Sequence, residues 1–276
     1  MSIRIFANHA HVFPAIVNPN GTIDRLLQLL DSCGIEQAVC FAPFSNQIEG
    51  TGLNHNEWLA AELAGSNRAG RLFAFGTLDL KLANVKAQVQ RIADLGFKGI
   101  KMHPNAQEFD ILGAPAMSAY AAAQDLGLFI TFHSGIHHYR IAHYNVLKFD
   151  EIGYQFPDLK FSLEHVGGYA FFHDALAVLS NNIPFPPVPG RQSRVYGGLT
   201  SIFTPDYNRL WYMPRERMLE LIAQVGTDQL IFGLDFPYNL EENTQTALRV
   251  LSELGLSEQQ RQGILGENLR KALGIV

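Results

Sequence analysis

The chain of 276 residues holds 2 cysteines, Cys33 and Cys40. That is too few to staple a fold of this size, so a disulfide scaffold is excluded. It also lacks a basic tract: 21 lysines and arginines against 26 aspartates and glutamates give a formal charge of −5. A nucleic-acid partner, which needs a positive footprint, is excluded on that ground. No apolar run approaches the roughly 20 residues required to cross a bilayer as a helix, which excludes that mode of membrane insertion. The N-terminal segment pairs no basic stretch with an apolar one, so no secretory signal is read and a cytoplasmic protein is expected. No repeat, low-complexity tract or linker divides the sequence, and one domain over residues 1–276 is expected.

What is present is a regular alternation. Short apolar, β-prone runs end near residues 6, 41, 77, 102, 132, 164, 199 and 234, and a helical pattern follows nearly every one. The first helix is predicted over 22–33, with Ile23, Leu26, Leu27 and Leu30 on one face and Gly34 as its stop. Others are predicted over 54–64, 84–95, 115–126, 145–156, 171–179 and 214–225, with closing helices near 244–254 and 266–273. The stretch 183–189 carries four prolines and cannot be helical; it precedes the seventh strand, away from the chemistry, where a subunit contact is one use for it. Eight strand–helix units of this length predict an α/β fold, a closed (β/α)₈ barrel with buried parallel strands. An open doubly wound sheet would place a glycine-rich phosphate loop after its first strand. That position holds His9-Ala10-His11.

In such a barrel the chemistry lies at the C-terminal ends of the strands. His9 and His11 follow the first strand, alternating to one side while Ala10 turns away. His133 ends the fifth, His165 the sixth and Asp235 the eighth. Strand parity pairs Thr131 with His133, Leu163 with His165 and Gly233 with Asp235, and Gly233 is expected to leave space beneath a metal. Imidazole and carboxylate are ordinary ligands of zinc-like ions, so their recurrence at strand ends predicts a metal site.

With these residues stand Lys98-Gly99-Ile100-Lys101-Met102-His103-Pro104, Phe132-His133-Ser134-Gly135, Glu164-His165-Val166-Gly167-Gly168, Phe232-Gly233-Leu234-Asp235-Phe236-Pro237 and Gly266-Glu267-Asn268. As a set they resemble the amidohydrolase superfamily, in the amidohydrolase-2 branch that includes aminocarboxymuconate-semialdehyde decarboxylase and related lactonases and hydrolases. The resemblance covers essentially the whole chain and leaves the substrate open. It implies one divalent ion, zinc or alternatively manganese, held by His9, His11, His133 and Asp235. It further implies that Asp235 takes a proton from an activated water, while His165 acts as acid/base or polarises the substrate. In two-metal members a carboxylated lysine bridges the ions. Here Lys101 and His103 are expected instead as pocket groups that orient substrate or ligands.

The loops after the strands, at 13–20, 43–54, 135–144, 200–213 and 236–243, should form the pocket. Arg140 and Arg209 are candidate clamps for a substrate carboxylate, since a guanidinium grips one with two bonds. Tyr207, Trp211 and Tyr212 are candidates for an aromatic lid, and His137, His138 and His143 for pocket wall or surface. The expected activity is hydrolysis of a small ester, lactone or amide. Non-oxidative decarboxylation of an unsaturated or aromatic acid uses the same residues, and a catalytically inactive binding barrel is the remaining alternative. The expected partner is a small molecule, with homo-oligomer formation left open.

Overall fold

The eight apolar runs fold as the staves of one closed parallel barrel in the computed structural model, which describes residues 3–65, 70–185 and 193–275. The strands are β1 Phe6–His11, β2 Gln37–Phe41, β3 Leu72–Gly76, β4 Gly99–Met102, β5 Phe129–His133, β6 Phe161–Glu164, β7 Val195–Leu199 and β8 Leu230–Phe236. Each pairs with the next in sequence, and β8 closes on β1 through Asn8 opposite Gly233.

The period-two alternation of the strands sorts side chains into two cores. Residues facing outward, such as Ala7, Cys40, Ile130 and Leu163, join the helices in one continuous apolar layer. Those facing inward build a floor of Phe6, Val39, Phe41, Phe75, Phe129, Tyr196 and Ile231. The rings of Phe41, Phe75, Phe129 and Tyr196 step around the barrel at centroid spacings of 5.8, 6.0 and 5.8 Å. Above this floor the interior turns polar, with Asn8, Lys101, Thr131, Ser162, Glu164 and Thr200 all essentially inaccessible. The polar end of the barrel therefore rests on an aromatic plug.

The helices are α1 Ile23–Ser32, α2 His55–Leu63, α3 Val85–Asp94, α4 Ala114–Asp125, α5 Lys148–Gln155, α6 Phe172–Asn181, α7 Arg215–Val225, α8 Glu241–Glu253, α9 Glu258–Gln262 and α10 Asn268–Leu273. Thr22 caps α1 by accepting the Arg25 amide, and Leu29 rather than Leu27 completes its buried stripe. Helix α8 begins three residues before the predicted 244 because the Asn243 side chain accepts the Leu240 amide and closes the turn. The predicted 266–273 helix is shorter, preceded by α9 and a wide turn over Gly263–Glu267. Part of the proline-rich 183–189 stretch lies outside the described residues. No helix among the described residues is long and apolar enough to cross a membrane.

Candidate metal centre

Three strand ends leave the extended conformation where the site begins. His9 has φ 68°, His165 φ 64° and Asp235 φ 59°, with Ser201 beside them at φ 54°. Non-glycine residues visit this left-handed region at a cost and persist there only where the surroundings fix them. At His9 the twist shifts the β1 register between Ala7 and Ala10, so Asn8 and His9 both reach the barrel interior. Beyond that shift the expected alternation holds: His9 and His11 point inward and Ala10 outward. The parity assigned to Leu163 and His165 does not hold. Leu163 faces the helices, Ser162 and Glu164 face inward, and His165 enters the site through its left-handed turn after β6 has ended.

His9 Nε2 and His11 Nε2 stand 3.2 Å apart, and Asp235 Oδ1 lies 3.3 Å from the first and 3.7 Å from the second. One ligand atom from each residue falls within 4.8 Å of the others, a group able to hold a metal ion. Asp235 Oδ2 accepts the Ser201 hydroxyl at 2.6 Å, which leaves Oδ1 to the site. Two nitrogens and one carboxylate oxygen match the three-ligand set of catalytic zinc sites, with a position left for water or substrate.

The nitrogen that His9 turns away from this group meets a buried carboxylate. His9 Nδ1 donates to Glu164 Oε2 at 2.9 Å. The same oxygen accepts the Thr200 hydroxyl at 2.7 Å, while Oε1 accepts Ser162 Oγ at 2.6 Å and Asn8 Nδ2 at 3.0 Å. Glu164 is completely buried. Its alternation with Ser162 on an inward face was the available signal, masked by the histidine next to it. Gly233, expected to leave room beneath the metal, leaves it for Thr200 Oγ1 and for His9 Cβ instead.

His133 does not join the converging group. Its Nε2 donates to Gly135 O at 2.8 Å, and its Nδ1 faces His165 Nε2 at 3.2 Å. His165 Nδ1 donates to Thr200 O at 2.8 Å. With both outer nitrogens donating to carbonyls, the two inner ones carry lone pairs and face each other. One shared proton, or a cation, relieves that opposition. Trp211 lies flat on His165, with centroids 4.1 Å apart, and donates to Ile136 O.

These groups line a cavity of about 300 Å³ together with Phe44, Asn46, Gln47, Tyr139, Tyr207, Asn208, Tyr238 and Asn239. Lys101 and His103 line it, as do Trp211, Tyr207 and His137, whereas Tyr212, His138 and His143 do not. Arg140 and Arg209 are exposed. Arg140 borders a neighbouring depression with His143 and Lys148, so neither arginine reaches the cavity, because the loops carrying them turn those side chains outward. Lys101 is the cation lining it among the described residues.

Burial governs the electrostatics. It pushes His9, His11, His103 and His133 well below the usual histidine value, with the Lys101 charge or neighbouring histidines adding to the effect. His165 falls to about 3 through burial and then Lys101, against the Thr200 carbonyl. Lys101 falls to about 8 through burial, opposed by Glu164 and Asp235. Burial lifts Asp235 to about 6, opposed by the Ser201 hydroxyl and Lys101. The imidazoles are thus neutral, the state in which they ligate metals.

A family model described as Amidohydrolase matches residues 21–275, a span that begins after His9 and His11. No curated protein matches the sequence. Among solved structures, a candidate 2-pyrone-4,6-dicarboxylic acid hydrolase from Pseudomonas putida is 20% identical, with a TM-score of 0.69 over 100% of this chain and 99% of that one. A dihydroxybenzoic acid decarboxylase from Polaromonas sp. JS666, bound to manganese and the inhibitor 2-nitroresorcinol, is 15% identical, with a TM-score of 0.69 over 99% and 98%. The 5-carboxyvanillate decarboxylase from Sphingomonas paucimobilis is 13% identical, with a TM-score of 0.70 over 100% of both chains. At these identities the likeness shows the fold.

Proposed function

The chain belongs to the amidohydrolase-2 family and is an enzyme, and from that premise we propose a metal-dependent hydrolase acting on a small ester, lactone or amide. The observation that carries the reading is the convergence of His9, His11 and Asp235 on one point in an aromatic- and amide-lined cavity. These three side chains would hold one divalent ion, zinc or manganese. His133 would complete the set by releasing its contact with His165 or Gly135. Such an ion supplies a Lewis acid and acidifies a water in its open position.

The residues around it have separate tasks in this reading. Asp235, whose burial makes it a stronger proton acceptor than a surface aspartate, takes the proton from the attacking water. His165, held by Thr200 O and covered by Trp211, presents its neutral Nε2 to relay the proton that Asp235 accepts on to the leaving-group oxygen. Lys101 and His103 orient the oxygen atoms of the substrate. We place this chemistry in one barrel domain and in the cytoplasm, as the sequence suggests.

Lys101 favours a second reading. It is the cavity's cation among the described residues and stands beside the converging trio. A substrate carboxylate drawn to it would sit next to the metal, and C–C cleavage with release of CO₂ would follow from the same residues. The decarboxylases among the structural relatives support this reading as much as the hydrolase supports the first. A panel of lactones, esters, amides and hydroxybenzoates against zinc- and manganese-loaded enzyme, with CO₂ followed separately, decides between them. Turnover of carboxylic acids alone, with CO₂ released, would overturn the hydrolase assignment.

A further inference from the structure

We propose that Glu164 is a positioning residue for the metal centre: its carboxylate fixes His9 as an Nε2 ligand and supplies buried negative charge that strengthens binding of the divalent ion. The proposal rests on the metal-centre reading above.

The carboxylate is built in from every side. Asn8 Nδ2, Ser162 Oγ, His9 Nδ1 and Thr200 Oγ1 donate to it, two to each oxygen, at 3.0, 2.6, 2.9 and 2.7 Å. Four donors saturate the lone pairs of an ionised carboxylate. An amide of the same shape, with one accepting oxygen, could not accept from all four. Two glycines make room for it. A Cβ at Gly198 would fall on the carboxylate itself, and one at Gly233 would fall on Thr200 Oγ1, a donor to it. The strands β1, β6, β7 and β8 thus each give up a position to this one group.

A buried charge needs a counter-charge. His9 is the only one of the four donors that continues into the site, and its other nitrogen faces Asp235 and His11. By accepting the Nδ1 proton, Glu164 fixes the tautomer that leaves Nε2 bare, and it makes that nitrogen more basic. A network meant only to fill space would not need a carboxylate here.

The test is Glu164→Gln, equal in shape and short of the charge, titrated with Zn²⁺ and with Mn²⁺ against a competing chelator. The variant is expected to bind each ion about 10–100-fold more weakly than the wild type. Gly198→Ala, which displaces the carboxylate from another strand, should weaken both ions in the same direction. The tautomer is read separately, from the imidazole ¹⁵N shifts of metal-free protein, with the His9 signals identified by their loss in His9→Gln. The wild type should show His9 protonated at Nδ1, and Glu164→Gln should show a mixture. Unchanged affinity in both variants, or an unchanged His9 signal in Glu164→Gln, overturns the proposal. Should Glu164→Gln fail to fold, Thr200→Val, which removes a single donor, carries the same two readouts. A wild type that binds neither ion would instead overturn the metal-centre reading, a failure visible before any variant is compared.

Discussion

Lys101 Nζ lies 3.3 Å from His9 Nε2, the same nitrogen that faces Asp235 Oδ1 at 3.3 Å. An ammonium there donates into the lone pair a metal ion would use, and its charge opposes a cation. Removing it should therefore help the metal and harm the chemistry. Lys101→Met is expected to tighten Zn²⁺ binding about tenfold or more, roughly 1.4 kcal/mol, while lowering kcat. Chelator competition and steady-state kinetics measure the two separately. Weaker metal binding in the variant would show that Lys101 assists the ion, as a carboxylated lysine does in two-metal sites.

The ligand group gives a second prediction. Wild-type protein should carry about one zinc- or manganese-like ion per chain by elemental analysis. His11→Ala and Asp235→Asn each remove one of the three converging atoms, and each should leave the purified protein nearly metal-free. Turnover should fall by more than the roughly 10–100-fold typical of losing a residue that merely supports a ligand. Full activity in metal-free protein would remove the ion from the mechanism.

The sequence made the barrel legible because each strand is a short apolar run and each helix carries a 3.6-residue stripe. His9, His11 and Asp235 were legible as metal-competent side chains at strand ends, whereas His133, expected beside them from the end of β5, lies outside the converging group. The surroundings of these residues were obscured where the backbone departs from the period-two pattern. His9, His165 and Asp235 all have positive φ, and no residue in their stretches signals this the way glycine would. The twist at His9 turns Asn8 inward with it, and the turn at His165 leaves Glu164 as the true inward residue of β6. A carboxylate flanked by apolar residues and a histidine reads as part of the histidine's motif. Its four donors come from β1, β6 and the residue that follows β7, a convergence that exists only after the barrel has closed. The outward turn of Arg140 and Arg209 was likewise a matter of loop conformation, for which composition gives no signal.

Trp211 occupies a slot cut by glycine. Its ring covers His165 at 4.1 Å, and a Cβ on Gly135 would approach the indole to 2.7 Å. Gly135 has no positive φ, so alanine fits its backbone and the collision falls on the tryptophan. Gly135→Ala should push Trp211 off His165 and break its bond to Ile136 O, at a stability cost of about 1–3 kcal/mol, typical of overpacking. In a Trp58→Phe background the emission of Trp211 should shift to the red, and kcat should fall with little change in metal content. Normal turnover with a displaced tryptophan would relieve Trp211 of any role in holding His165.

Acid should unfold the metal-free protein at an unusually mild pH. Burial holds His9, His11, His103 and His133 well below their ordinary 6.5, and His165 at about 3. Above pH 6.5 these rings are neutral in the folded and unfolded chains alike and do not make stability depend on pH. Below it the unfolded chain takes up protons that the folded one refuses, so stability falls as pH falls, by up to about 1.4 kcal/mol per pH unit for each ring. Asp235 acts in the opposite sense: raised from 3.8 to about 6, it lets the folded chain bind a proton that the unfolded chain lacks in that interval. One carboxylate offsets about one of the five rings, so the net effect is a steep loss between pH 6.5 and 4. In chelator-treated protein the Tm should drop across this window, and His103→Gln, which removes one ring, should make the drop shallower. Metal-loaded protein should hold its Tm further into acid, until protons displace the ion from His9 and His11. A Tm that stays flat from pH 7 to 5 without metal would mean that the buried histidines accept protons as readily as exposed ones, and the neutral-imidazole picture of the site would fall with it.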